Sequence, residues 1–305
     1  MVNCNSNCNP AAVTNKADRW ARWLLDGRHG GDAAFRERML RESLYPLRDQ
    51  ILDRAQLQPG DTLLDVGAGD GLVAFGALDR LGASGHVIFS DISQDLLDHC
   101  RAAAAAAGLL DRCSFVRASA DSLTTMADAS VDVVTTRSVL IYVKDKAAAL
   151  REFYRVLRPG GRVSVFEPIN RLMRDPPGWF SGYDVRPAAA LADKVRAVYD
   201  AIQPPDSDPM TDFDERDLVR HAETAGFPEI GLELRLSLKP VKKACAWETF
   251  LRASGNPLIP PLGEVLEHAL SADESAAFTA VLRSLVESGR GRDRTVFAHL
   301  AAVKS

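Results

Sequence analysis

Hydrophobic and polar positions repeat with two different periods along the chain, and the change falls near residue 60. Up to about residue 54 the apolar side chains recur every three or four positions, which predicts helices. Glycines divide this stretch in two, at Gly27, Gly30 and Gly31. After a Pro-Gly-Asp turn comes the apolar run 62–66, which has the length and flanks of a buried strand. The pattern predicts a helical segment followed by a domain that begins with a strand.

Strands and helices then alternate. The predicted strands are 62–66, 86–90, 113–117, 131–136 and 162–166, and the predicted helices are 72–81, a helix opened by Ser93, and 145–157. Parallel neighbours need crossover connections, so this order predicts a mostly parallel sheet with helices on both faces. Ligands of such sheets bind beyond the carboxyl ends of the strands.

Prolines become frequent after Pro168, in a segment with one clear predicted helix at 188–201. A helix at 214–225 and strands near 229–238 and 295–303 complete the prediction. We expect an α/β fold with a Rossmann-like, mostly parallel seven-stranded sheet, an N-terminal helical segment and helical lid insertions. The predicted parts are a disordered leader at 1–16, a helical cap at 17–56, a ligand-binding core at 57–167, and a C-terminal part at 168–305 that completes the sheet and adds lid or substrate elements.

Composition narrows the class of protein. The 305 residues include 37 Lys and Arg against 41 Asp and Glu, a net charge of −4, which disfavours a nucleic-acid partner. No apolar run has the length of a membrane span, which is about 18 residues. The five cysteines have neither a CxxC pair nor zinc-ligand spacing, so we predict a cytoplasmic protein without a metal site.

The strongest chemical signal is the run Leu64–Gly71, a strand that leads into a GxGxG turn and then a helix. Glycines allow a sharp turn and close approach of a ligand, and free N–H groups at a helix start favour an anionic group. A dinucleotide fingerprint would place its third glycine at position 72, where this chain has Leu72. The spacing instead favours a nucleoside that carries an amino-acid tail.

Polar residues follow the next three strands in the order that such a ligand needs. Asp91 ends the second strand, where a carboxylate can accept hydrogen bonds from a ribose. Asp121 follows the third strand and could accept from an adenine amino group, and Arg137 and Ser138 follow the fourth. Each residue taken alone fits a purely structural role equally well, but their order on one scaffold favours a shared site.

Residues 60–167 resemble the class I S-adenosylmethionine-dependent methyltransferases, in particular the small-molecule branch that includes the ubiquinone/menaquinone biosynthesis methyltransferases. The matching stretches are Leu63–Gly71, Asp91, Ala120-Asp121, Ser138–Leu140 and Leu157–Gly161. The resemblance implies S-adenosyl-L-methionine as cofactor and S-adenosyl-L-homocysteine as product. The implied cofactor-binding residues are Asp65, Gly67, Ala68, Gly69, Gly71, Asp91, Ile92, Ala120, Asp121, Arg137 and Ser138.

The expected function is methyl transfer by in-line displacement to a small-molecule acceptor, aromatic or quinone-like. Glu167, at the end of the fifth strand, is the candidate general base. Candidates for the acceptor pocket are His29, Tyr142, Trp179 and Tyr183, whereas Trp20 and Trp23 favour packing. The acceptor, the methylated atom, the pathway and the oligomeric state stay open.

Two alternatives remain beside this function. A non-catalytic regulator that binds S-adenosylmethionine would keep the same motifs. An arsenite methyltransferase would need converging thiolates, but neither the glycine turn nor the stretch after the fifth strand carries a cysteine.

Overall fold

A seven-stranded sheet forms the centre of the protein in the computed structural model, which describes residues 17–241 and 244–305. The leader predicted for residues 1–16 lies outside the described residues. The strands are β1 (Thr62–Val66), β2 (His86–Asp91), β3 (Cys113–Arg117), β4 (Val131–Arg137), β5 (Leu157–Pro168), β8 (Glu229–Pro240) and β9 (Arg292–Val303). Their order, β3-β2-β1-β4-β5-β9-β8, confirms the Rossmann-like sheet expected from the sequence.

The sheet is parallel from β3 to β5, and β9 then runs antiparallel between β5 and β8. The chain winds outward in one direction from β1 to β3 and in the other direction from β4 onward. This reversal leaves a crevice between the carboxyl ends of β1 and β4, where α/β sheets bind their ligands.

Helices cover both faces of the sheet and extend beyond it. They are α1 (Arg19–Leu25), α2 (Ala33–Met39), α3 (Tyr45–Arg54), α4 (Leu72–Arg80), α5 (Gln94–Ala106), α6 (Lys146–Val156), α7 (Ala189–Ile202), α8 (Glu215–Ala225), α9 (Trp247–Arg252), α10 (Leu262–Ala269) and α11 (Ala272–Ser288). A π-helical turn, Leu40–Leu44, joins α2 to α3. A short hairpin, β6 (Trp179–Phe180) and β7 (Tyr183–Asp184), precedes α7.

Polar side chains fix where several helices begin. Ser93 caps α5 by accepting from the N–H of Leu96 at 3.1 Å. Asp18 caps α1 and also accepts from the hydroxyl of Ser93 at 2.7 Å. The first helix is thereby attached to the start of α5, next to the end of β2.

Three large hydrophobic clusters stabilise the described part of the molecule, and a smaller fourth one, Ala21, Leu24 and Leu96, joins α1 to α5. One contains Phe153 and joins β1, β4, β5 and β9 to α6 and α8, and a second contains Phe89 and joins the sheet to α3, α4 and α5. The third contains Phe278 and lies among the hairpin, α7 and α9 to α11. The helices after β8 therefore have a core of their own.

Two regions differ from the sequence-based prediction. β5 begins at Leu157 and not near Arg162, because Leu157 already pairs with Val131 before the register shifts and regular pairing resumes. Pro159, Gly160 and Gly161 are part of this strand. The hairpin and the bounds of α9 to α11 were not predicted; two-residue strands and helices as short as α9 and α10 give little periodic signal.

Across the described ranges, no helix combines the length and the apolar character needed to cross a membrane.

Replacing Phe89 by Ala tests the core beneath β2. Phe89 is fully buried and its ring lies 5.0 Å from that of Phe115 and 5.1 Å from that of Phe75. Chemical denaturation should show a loss of about 3–5 kcal/mol in the free energy of unfolding. The control Leu238→Ala, on the edge strand β8 and 47% exposed, should cost less than about 0.5 kcal/mol. Equal losses would contradict this assignment of the core.

Candidate functional site

The turn after β1 is rich in glycine and therefore exposes backbone, not side chains, to the crevice. Gly67, Gly69 and Gly71 all have positive φ angles, of 66°, 58° and 82°. A Cβ on Gly67 would lie 2.3 Å from a methyl carbon of Val139, and one on Gly69 would lie 2.9 Å from Leu24 in α1. Side chains at these two positions are therefore excluded both by conformation and by space.

Asp91 holds the glycine turn to the end of β2. One carboxylate oxygen accepts from the N–H of Gly69 at 2.9 Å, and the other accepts from the N–H of Ser93 at 2.9 Å. The side chain is 6% exposed, and burial raises its pKa, opposed by these backbone hydrogen bonds. Each oxygen keeps a second lone-pair direction with which it can accept from a ligand.

A cavity of about 430 Å³ opens above the carboxyl ends of β1, β2 and β4. This volume lies in the range of small-molecule sites, about 300–1,000 Å³. The predicted cofactor-binding residues that line it are Gly67, Gly69, Asp91, Ile92, Ala120, Asp121, Arg137 and Ser138. The structure thus brings eight of the eleven predicted residues to one cavity.

The remaining three predicted residues lie beneath the cavity and not in its lining. Asp65 is 2% exposed and accepts from the hydroxyl of Thr135 at 2.8 Å and from the N–H of Ala74 at 3.1 Å. Burial raises its pKa to about 7. Ala68 and Gly71 shape the turn, since the N–H of Gly71 donates to the carbonyl of Ala68 at 2.9 Å. The geometry gives these three residues a supporting role.

Glu167 also lies outside the cavity lining, and its carboxylate is occupied by backbone. It is fully buried and accepts from the N–H groups of Val139 and Leu140 at 2.9 Å and of Ile141 at 3.2 Å. These bonds fix the turn after β4, in which Ser138 has a positive φ of 56°. The geometry does not support Glu167 as a general base; it positions the turn that presents Arg137 and Ser138.

The four candidates for the acceptor pocket are not brought together. Tyr142 lines the cavity, with its ring edge-on to Trp20 at 4.9 Å. His29 is 7% exposed and contacts Phe35, and it does not line the cavity. Trp179 and Tyr183 lie in the hairpin, where Tyr183 packs edge-on against Phe250, and they are also absent from the lining.

The first helical segment contributes residues that the sequence did not identify as functional. Trp20, Trp23 and Leu24 of α1 line the cavity, and so does Arg28 in the turn that follows. Packing alone was the favoured interpretation of the tryptophans, and Arg28 carries no motif. Only the fold reveals that α1 lies across the glycine turn.

Among the described residues, no cysteine lines this cavity. Cys100 and Cys113 are buried and Cys245 is partly exposed, and none of the three lines it. Burial raises the pKa of the Cys100 thiol, and the carboxylates of Asp70 and Asp91 add to that effect. Within residues 17–241 and 244–305, no group of three or more His, Cys, Asp or Glu side chains could hold a metal ion.

The glycine turn and the strands around it are similar in sequence to known proteins. A family model described as a methyltransferase domain matches residues 64–165. The ubiquinone/menaquinone biosynthesis C-methyltransferase UbiE of Xanthomonas oryzae pv. oryzae is 40% identical over 113 residues, which cover 37% of this chain and 44% of that protein. The corresponding protein of Vibrio vulnificus is 35% identical over 116 residues, with coverages of 38% and 44%. The match therefore spans less than half the length of these curated relatives.

Solved structures share the fold over most of the chain. The YcgJ protein of Bacillus subtilis superposes with a TM-score of 0.51 and 15% identity, covering 84% of this chain and 97% of that one. An N-methyltransferase of Haemonchus contortus, in complex with phosphomonomethylethanolamine and S-adenosylhomocysteine, gives 0.50 and 16%, covering 93% of this chain and 56% of that one. At such identities the likeness shows the shared fold.

Glu167→Gln tests the role of the buried carboxylate. Burial raises the pKa of Glu167 to about 7, above its usual value of 4.5, so the unfolded chain ionises first and the free energy of unfolding falls as pH rises between these values. The amide cannot ionise, and its NH₂ group would face a backbone donor, at a cost of about 1–3 kcal/mol. Thermal melts should show a lower midpoint and a weaker dependence on pH between 4.5 and 7.

The matched control is Glu267→Gln, at an exposed position of α10. It should follow the wild-type melting curve at every pH. A Glu167→Gln midpoint as high and as pH-sensitive as that of the wild type would remove the proposed support of the turn after β4.

Proposed function

We propose, from the premise that residues 64–165 are a methyltransferase domain, that this chain transfers a methyl group from S-adenosylmethionine to a small-molecule acceptor with an aromatic ring. The observation that carries the proposal is the single cavity shared by the bare glycine turn, Asp91 and Asp121. These are the residue types that an amino-acid tail, a ribose and an adenine need at the ends of β1, β2 and β3.

The residues present fit this cofactor. The glycine turn offers backbone against which the methionine end can lie, and the start of α4 favours its carboxylate. Asp91 would accept from the ribose hydroxyls while it keeps the N–H of Gly69 in place. Asp121, which already accepts from the hydroxyl of Ser119, would face the adenine. The backbone of Arg137 and Ser138 would lie near the sulfonium end.

When bound, the cofactor supplies an electrophilic methyl group that is already activated. The task of the chain is then to orient the acceptor and exclude water, and orientation can contribute on the order of 7–11 kcal/mol to lowering the barrier. Trp20 and Tyr142 form an aromatic wall that excludes water on one side. Burial raises the pKa of Tyr142, so this wall stays uncharged at neutral pH.

The chain supports transfer without a strong protein base. Glu167 is committed to three backbone N–H groups and His29 is enclosed away from the cavity, where burial and the charge of Arg28 lower its pKa to about 4. Positioning therefore carries the proposed mechanism. Acceptors whose nucleophilic atom is free of a proton, or loses it to water, suit such a site.

A direct titration tests the cofactor, and a transfer assay tests the reaction. In calorimetry, S-adenosylmethionine should bind and NAD⁺ should not. In the assay, tritium from the labelled methyl group should enter an acceptor in a metabolite extract. Tight binding without transfer would support the alternative of a non-catalytic regulator, and preferential binding of NAD⁺ would contradict the proposal.

Asp91→Asn tests the ribose contact. The variant loses the charge that strengthens hydrogen bonds from the ribose, which contribute roughly 1.5–3 kcal/mol each. Calorimetry should show a dissociation constant for S-adenosylhomocysteine that is raised about tenfold or more. Asp98→Asn, an exposed carboxylate on the neighbouring helix α5, should leave the constant unchanged. Equal affinities of the two variants, with unchanged melting points, would refute the contact.

A further inference from the structure

A second cavity adjoins the first. It has a volume of about 610 Å³, and it shares Arg28 and Gly255 with the cavity above the glycine turn. Its lining is mainly apolar and aromatic, with Phe35, Met173, Phe180, Tyr199, Phe250 and Leu262. An aromatic acceptor could therefore lie in the second cavity and extend one end toward the first.

Arg28 lies where the two cavities meet, and its guanidinium forms no ion pair with a carboxylate among the described residues. Among the described residues, no carboxylate lies within 4.0 Å of its guanidinium, which instead lies over the ring of Trp23 at 5.4 Å. Burial, and then the positive charge of Arg137, lower the pKa of Arg28 to about 10, while Asp70 and Tyr142 oppose them. A half-buried cation of this kind favours an anionic partner.

The other arginines of the second cavity differ in this respect. Arg174 pairs with Asp200 at 3.1 Å. Arg196 pairs with Asp193 and also donates to the carbonyl of Trp179. Both charges are thus balanced within the protein, and the attraction for an anion is concentrated at the junction.

The backbone that carries Arg28 is fixed from two sides. Trp23, just before it, donates its indole N–H to the carbonyl of Ser254 at 2.8 Å. Gly30, just after it, has a φ of 59° and lies so close to α9 that a Cβ would meet the carbonyl of Thr249 at 2.7 Å. The backbone that presents Arg28 is therefore fixed before a ligand arrives, which limits the entropy lost on binding.

We propose that the second cavity binds the ring of the acceptor and that Arg28 binds a carboxylate on it, so that the substrates are aromatic carboxylic acids. The inference rests on the proposed function, because it makes this cavity the acceptor side of the methyltransferase site. A carboxylate fits better than a phosphate dianion, since the nearby carboxylate of Asp70 partly offsets the charge of Arg28. The carboxylate of the cofactor would instead be stabilised by the N-terminus of α4.

The test compares two probes of equal shape, 2-naphthoate and the neutral 2-naphthamide, by calorimetry on full-length protein saturated with S-adenosylhomocysteine. The wild type should bind naphthoate about tenfold or more tightly than naphthamide. In Arg28→Gln this preference should fall to about onefold, while the affinity for naphthamide changes by less than about threefold. Arg28→Lys, which keeps the charge but loses the planar fork, should retain part of the preference.

Arg171→Gln is the matched control, because Arg171 is exposed and lines neither cavity. It should keep the full preference for naphthoate. The inference is overturned if the wild type binds naphthoate no better than naphthamide or binds neither, or if Arg28→Gln weakens S-adenosylhomocysteine and leaves the preference intact. In each of those results the proposed function survives, whereas a wild type that does not bind S-adenosylhomocysteine at all contradicts the proposed function itself.

Discussion

The hydrogen bond between the carboxylate of Asp91 and the N–H of Gly69 joins the two strand ends on which the site depends. Together with the bond from the N–H of Ala68 to the carbonyl of Ser90 at 2.9 Å, it holds the turn after β1 at the end of β2. The same carboxylate also accepts from Ser93, which binds Asp18 at the start of α1. One acidic side chain thus connects the glycine turn, the second strand and the helix that covers both.

Buried carboxylates lie near the ends of several strands, and backbone N–H groups donate hydrogen bonds to them. Asp65 supports α4 from below, and Glu167 gathers three successive N–H groups after β4. Their burial raises their pKa values toward neutrality, a property often associated with acid-base catalysis. Here the geometry provides a different explanation, since both side chains accept hydrogen bonds from neighbouring protein groups and neither lines the cavity.

The sequence predicted those elements whose conformation is determined by residues close together in the chain. The left-handed backbone at positions 67, 69 and 71 requires glycine, and short apolar runs such as 62–66 indicate burial. The strands and the turn could therefore be predicted directly from the sequence. Arg28 could not, because its place depends on contacts with α9 and the residues just after it, more than two hundred positions away in the chain, such as that between Trp23 and Ser254. Glu167 was misleading for a similar reason, since its position at a strand end is visible in the sequence but the three donors that occupy it are not.

The helix α1 has seven residues and is attached at both ends, through Asp18 to Ser93 and through Trp23 to Ser254. So short a helix has little stability of its own and relies on these attachments and on packing. Leu24 lies directly over Gly69, so a molecule on the glycine turn is enclosed for as long as the helix is formed. Fraying of α1, which has about two turns, would uncover the glycine turn on this side, a local event that leaves the large sheet intact.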